Sequence, residues 1–221
     1  MENLFNNFKN KELLRQALTH KSWVNEHPNV IQSNERLEFL GDAVLEFIVS
    51  SILYQKFPNE EEGYLTALRS NLVNTTNLSK VALRLKIGKA IQLSKGEEET
   101  GGRNNPSILA DTVEAIIGAI YLDSGIETAK KFIEENITNN LEEKIKQPLK
   151  DPKSLLQEIV QAKDLPAPKY QVIKEEGPDH AKIFTVEVIF DSKVQAIGKG
   201  KNKSEAEQEA AKIALNKINQ Q

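Results

Sequence analysis

Three acids in the run Asn34-Glu35-Arg36-Leu37-Glu38-Phe39-Leu40-Gly41-Asp42 are spaced for shared chemistry. The run continues through Ala43 to Val49 without a proline. On a helix at 100° per residue, Leu37, Leu40, Gly41, Val44 and Ile48 form one apolar face. Glu35, Glu38 and Asp42 then fall within roughly 60° of one another on the opposite face. Like charges one turn apart repel. Either these acids point into open water or something cationic sits among them. Phe39, Ala43 and Phe47 cover much of the remaining circumference, which predicts a largely buried helix. Carboxylates on such a helix need partners, and a metal ion is the economical one.

A second pair repeats the problem. Ser107 to Leu122 is the most apolar stretch of the chain, yet it carries Asp111 and Glu114 at i and i+3 on one face. With Ser107 as N-cap, Asp111 lies just past the first turn, where the helix dipole offsets only part of the cost of burying it. At sixteen residues the stretch is short for a bilayer.

The elements that must hold these acids follow from the rest of the chain. Its 221 residues fit one large domain or two small ones. The absence of cysteine excludes disulfides, thiolate metal sites and thiol nucleophiles. With no basic and apolar leader at the start and no spanning run, a cytoplasmic protein without membrane attachment is expected. Net charge is −3, with eighteen Lys+Arg against twenty-one Asp+Glu in 1–150 and eleven of each in 151–221. Charge alone therefore does not point to nucleic acid, and any basic surface must come from clustering.

Lys11 to Trp23 reads as an amphipathic helix with Leu13, Leu14, Ala17 and Leu18 inward, closed by Thr19-His20-Lys21-Ser22. His20 reads as a structural hydrogen-bonding residue. Ser33 or Asn34 caps the acidic helix. A second helical run follows Phe57-Pro58 and extends to about Leu83, with Glu60 to Glu62 suiting its dipole. Thr100 to Pro106 is a loop by composition. Asp123-Ser124-Gly125 stops the apolar helix, and Thr128 to Lys146 is a further charged helix. Gln147 to Pro152, with two prolines, is the best boundary in the sequence. Beyond it the period changes to two: a short helix at 154–161, strands at 170–174, 183–190 and 193–198, and a closing helix at 204–218. That order makes a small α+β domain, an antiparallel sheet backed by two helices.

The nine residues from Asn34 to Asp42 closely resemble the signature of the ribonuclease III family. Gly101-Gly102-Arg103 leading to Ser107-Ile-Leu-Ala-Asp111-Thr-Val-Glu114 is similar to a second segment of that family. Gly198-Lys-Gly-Lys201-Asn-Lys203-Ser204-Glu205 is similar to the last strand and helix of a double-stranded-RNA-binding domain. The resemblance covers essentially the full length. It implies an all-α nuclease domain (1–147) that forms a homodimer, a linker (148–152) and an α-β-β-β-α dsRNA-binding domain (153–221). It implies a Mg²⁺-dependent endoribonuclease, with Mn²⁺ able to substitute, that makes a staggered cut in both strands of dsRNA. The products would carry 5′-phosphomonoesters, and the work would be rRNA and mRNA precursor processing and RNA decay. No small-molecule cofactor is expected.

Carried over by residue, Glu38, Asp42, Asp111 and Glu114 are the catalytic carboxylates that hold magnesium. Glu35 and Glu62 match outer positions of the cleft, and Phe39 matches an aromatic that plugs into the partner subunit. Four carboxylates with no Cys or His form an oxygen-only site suited to a hard cation. Paired-metal phosphodiester hydrolysis wants ions ~3.5–4 Å apart, with Glu38 or Glu114 as the bridge. In the second domain, Gln157 and Glu158 would face one minor groove and His180 the next, over ~16 base pairs. Lys201 and Lys203 would bind the phosphates between them, and Arg103 is a further RNA contact. Ser204, Glu205, Glu207 and Glu209 depart from the lysine-rich pattern, which predicts weaker and less salt-sensitive binding. A dsRNA-binding dimer with a dead nuclease domain is the competing reading, and the presence of all four carboxylates argues against it.

Overall fold

The computed structural model describes residues 8–27, 32–139, 141–145, 151–178 and 182–218. The chain divides into two compact units, Met1–Leu149 and Lys150–Gln221. The described residues of the first are helical apart from an isolated bridge, Thr19 to Gln92. Its helices are α1 (Lys11–Ala17), α2 (Lys21–Glu26), α3 (Glu35–Lys56), α4 (Glu62–Val73), α5 (Thr75–Arg84), α6 (Lys95–Glu99), α7 (Pro106–Asn136) and α8 (Leu141–Ile145), with 3₁₀ turns at Ile87–Lys89 and Gly102–Asn104. None of the described helices is long and apolar enough to cross a membrane.

The two longest helices, α3 and α7, pack against each other and organise this unit. From Ile108 to Ile120, every residue of α7 is buried except Asp111 and Glu114. A segment otherwise buried all round is thus interrupted only by its two acids, and the one other polar side chain, Thr112, donates to the Ile108 carbonyl. From α3, Leu37, Gly41, Val44, Leu45, Ile48, Val49 and Leu53 enter the same core. The helices approach so closely that two glycines are required where they cross. A Cβ on Gly41 would stand 1.7 Å from the carbonyl oxygen of Glu114, and one on Gly118 would stand 2.3 Å from that of Leu37. Neither backbone could move aside without breaking the core around it.

Several boundaries differ from the sequence expectation. The region from Lys11 to Trp23 holds two helices, because Thr19 bridges Gln92 and His20 caps a new helix at Lys21. The run expected to reach Leu83 unbroken divides at Asn74, whose backbone is extended and whose side chain accepts from the Asn77 N–H at 2.8 Å. Asn34 occupies the N-cap position of α3, but its side chain makes no capping bond. Asn105, not Ser107, caps α7, with Pro106 in the first turn. At Gly125 the chain leaves helical geometry (φ 81°), as the Gly stop predicts, before helix resumes to Asn136. The expectation that α3 is buried on most sides is corrected. Phe39 is 81% and Phe47 65% exposed, and Ala43 is exposed as well, so the core takes only one face of this helix.

The second unit comprises α9 (Pro152–Gln161), β1 (Lys169–Glu176), β2 (Ile183–Phe190), β3 (Lys193–Gly200) and α10 (Lys203–Ile218). The sheet is antiparallel in the order β1-β2-β3. Asp191 and Ser192 join β2 to β3 with φ of 53° and 56°, the positive pair that a two-residue hairpin needs. Val188 and Ala196 pack on Leu156, Val160, Ala210, Ala211 and Leu215. Asp151 caps α9 by accepting from the N–H groups of Lys153 and Ser154.

Candidate metal centre

The glycine-tight crossing brings acids of α3 and α7 to one place. Glu38, Asp111 and Glu114 each offer a carboxylate oxygen, and these oxygens all lie within 4.8 Å of one another. All three side chains are half-buried. Burial raises the pKa of Glu38, helped by the charges of Asp111, Glu35 and Asp42. Burial also raises that of Asp111, with His20 and Lys21 opposing. Glu114 is the extreme: burial, then Asp42, Asp111, Glu38 and Glu46, push its carboxyl up to about 8. Carboxylates so placed are costly in isolation, and a cation among them would relieve both the desolvation and the repulsion. The donor set is oxygen only and close-set, which fits a hard divalent ion.

The remaining expected site residues are placed differently. Asp42 is exposed one turn beyond Glu38 and lies outside the close triplet, though its charge reaches both Glu38 and Glu114. Glu35 is exposed at the rim, where its carboxylate takes Ser33 Oγ at 3.0 Å and pairs with Lys21 Nζ at 3.6 Å. Glu62 opens α4, accepts from Thr66 Oγ1 at 2.8 Å, and lines a surface cavity of ≈ 560 Å³ with Phe47, Tyr54 and Leu65. Arg103 has structural work: Nε meets Glu98 at 2.7 Å, and Nη1 donates to the carbonyls of Gly88 and Ile91 at 2.9 and 3.0 Å. Most of its guanidinium is therefore spent on holding the turns before α7 together.

Residues that sequence reading did not connect to the site include Gly118, whose smallness sets the helix spacing, and Lys21, which acts on Glu35, Glu38 and Asp111. A small residue one helical turn beyond Glu114 was the available signal for Gly118.

In the second unit, Gln157 and Glu158 are exposed on α9. Lys201 and Lys203 are exposed where α10 begins. Lys203 Nζ lies 5.9 Å from the Phe184 ring centroid and 3.9 Å from Glu175. His180 lies outside the described residues. The three acids of α10 have local roles: Glu205 reaches back to Asn202 and the Lys201 N–H, Glu207 pairs with Lys153, and Glu209 pairs with Lys212.

Comparison with known proteins agrees with this architecture. A "Ribonuclease-III-like" family model matches residues 10–141, and a "Double-stranded RNA binding motif" model matches 152–218. The chain belongs to the ribonuclease III family. It is 48% identical to Ribonuclease 3 of Natranaerobius thermophilus over 207 residues, covering 94% of this chain and 90% of that protein. Against Ribonuclease 3 of Carboxydothermus hydrogenoformans it is 48% identical over 211 residues, covering 95% and 90%. The solved nuclease domain of ribonuclease III from Campylobacter jejuni, described for flexibility in its region of dimer formation, superposes with a TM-score of 0.58 at 47% identity. That match covers 63% of this chain and 94% of that one. The chain is thus an endoribonuclease of this family acting on double-stranded RNA, and the family implies a divalent metal.

Proposed function

We propose that the metal is Mg²⁺, with Mn²⁺ able to replace it, and that Glu38, Asp42, Asp111 and Glu114 hold it. The observation that carries this reading is the triplet of oxygens within 4.8 Å, drawn from two helices that only glycines allow to approach. When bound, such an ion would polarise the phosphodiester and acidify the attacking water. The chain's own part is to supply negative charge on demand. Glu114 must give up a proton that burial and its neighbours hold to about pH 8, so loading of the site displaces that proton. Asp42, exposed and one turn along α3, completes the set from the solvent side.

The active form is a homodimer that makes a staggered cut in both strands. Phe39, Phe47 and Tyr54 support this: all three are exposed, and they fall within about 80° on α3. The cavity beside Phe47 and Tyr54 is a receptacle suited to Phe39 of a second copy. In residues 153–221, Gln157, Glu158, Lys201 and Lys203 meet the minor grooves and the phosphates between them. Arg103 is left out of this interface because its Nε and Nη1 are committed to Glu98 and to the carbonyls of Gly88 and Ile91. Cytoplasmic processing of structured rRNA and mRNA precursors is the setting for such an activity. The test is cleavage of long dsRNA with Mg²⁺ and with chelator. Glu114→Gln should bind RNA and not cut, and near-wild-type cutting would remove Glu114 from the site.

A further inference from the structure

The corner between α1 and α2 stands against the start of α3 and holds a histidine in one tautomer. The Asn34 N–H donates to the Thr19 carbonyl at 2.8 Å, and the His20 N–H donates to the Gln92 carbonyl at 3.1 Å. These bonds fix residue 20 next to the turn from which Glu35 and Glu38 arise, and Lys21 spans the gap to Glu35. Within the corner, the Ser22 N–H donates to His20 Nδ1 at 3.2 Å, and Ser22 Oγ lies 2.9 Å from the same nitrogen. Ser22 Oγ is itself held by the Ser94 N–H at 3.0 Å. Because a backbone N–H can only donate, Nδ1 is an acceptor and the ring proton sits on Nε2. Among the described residues, no hydrogen bond is made by Nε2. Helix capping explains Nδ1 completely and leaves the opposite edge of the ring unexplained.

Burial holds the ring pKa below its ordinary 6.5, against the charges of Glu97, Asp111 and Glu35 that would raise it. At neutral pH His20 is therefore an uncharged donor within electrostatic reach of Asp111. A site built of carboxylates repels an RNA backbone, so donors at its edge are what phosphate oxygens can meet.

We propose that His20 is a substrate-contacting residue whose Nε2–H donates to a non-bridging phosphate oxygen of the RNA strand lying at the Glu38–Asp111–Glu114 cluster. The assignment rests on that cluster being where the strand is cut.

Two substitutions separate the two edges of the ring. In His20→Asn, the amide oxygen can replace Nδ1 as the cap, because Asn is a preferred N-cap, but the Nε2–H is lost. In His20→Gln, the amide nitrogen can reach the place of Nε2, while the cap is lost. Cleavage of long dsRNA is measured at saturating Mg²⁺ alongside thermal melting and dsRNA binding, with Glu114→Gln as the control for the cluster. The proposal expects His20→Asn to melt like the wild type and lose about tenfold or more in kcat, the scale of one hydrogen bond to a charged oxygen. It expects His20→Gln to melt lower yet keep kcat within about threefold. Wild-type kcat in His20→Asn overturns the proposal, as does a loss in both variants that follows their loss in melting temperature. If Glu114→Gln still cuts, the cluster reading fails on its own, whatever the His20 variants do.

Discussion

Glu114→Gln should stabilise the metal-free protein at pH 8 while abolishing its activity. In the folded chain the Glu114 carboxyl is raised from 4.5 to about 8, first by burial and then by Asp42, Asp111, Glu38 and Glu46. A group whose folded pKa is raised favours the folded state fully below its unfolded pKa, and this benefit is lost as pH rises through the folded value. The window for Glu114 is therefore pH 4.5 to about 8. At face value the shift corresponds to nearly 5 kcal/mol, since one pH unit is about 1.4 kcal/mol. The side chain is only half-buried, and solvent screening reduces the figure to about 2 kcal/mol.

Glutamine keeps the shape and removes the charge, so in chelator at pH 8 the variant should gain about 2 kcal/mol. For a unit of this size that is roughly 4–8 °C in the melting transition of the nuclease unit. Near pH 5 the gain should fall to less than half, because Glu114 is protonated in the folded wild type and pH 5 is only just above its unfolded value of 4.5. Added Mg²⁺ should reverse the order at pH 8, since only the wild type has the full ligand set. Differential scanning calorimetry at the two pH values, with chelator and with Mg²⁺, reads all of this. A variant no more stable than wild type at pH 8 in chelator would refute the reasoning, as would a gain equally large at pH 5.

Gly118→Val places a side chain where even a Cβ would be 2.3 Å from the Leu37 carbonyl; it should cost about 3 kcal/mol or more and weaken Mg²⁺ binding, both readable from melts with and without the ion. Arg103→Ala uncaps the carbonyls of Gly88 and Ile91 and should lower stability by about 2 kcal/mol with dsRNA affinity unchanged, as a binding titration would reveal. Glu175→Gln removes the carboxylate that pairs with Lys182 at 3.6 Å and Lys203 at 3.9 Å; dsRNA binding should tighten severalfold and its salt dependence steepen, and weaker binding would contradict the phosphate role of Lys203.

Much of the arrangement is legible in the sequence because its signals are local. Asp111 and Glu114 stand out because everything else between Ile108 and Ile120 is uncharged and, Thr112 apart, apolar, and the structure buries every one of those neighbours. The β2–β3 hairpin is announced by alternation and by Asp191-Ser192. What failed depended on the partner of a face, which periodicity does not name. Phe39 and Phe47 look like core residues on a helical wheel, yet the monomer's own core ends at the Leu37–Val44–Ile48 stripe. The break at Asn74 carried a readable N-cap signal, overridden by the continuous apolar spacing around it. Glu205, Glu207 and Glu209 read in the sequence only as a departure from the lysine-rich pattern; Glu205 and Glu209 pair locally with Asn202 and Lys212, but the pairing of Glu207 with Lys153 crosses elements and is not a local property.

The contact between Gly41 and Gly118 is non-local in the same sense, and it connects folding to chemistry. Each glycine alone costs helix stability, about 1 kcal/mol relative to alanine. Together they let two backbones meet at a distance that larger residues forbid, and that distance sets Glu38 beside Asp111 and Glu114. Burial at the same crossing raises all three pKa values, and repulsion among the acids adds to it at Glu38 and Glu114. A wider crossing would be easier to fold without metal, but its carboxylates would be too far apart to share an ion. The close crossing instead makes a cation part of the electrostatic balance of the fold. Stability at neutral pH and readiness for phosphodiester chemistry therefore depend on one spacing, and a substitution that relaxes the first should be paid for in the second.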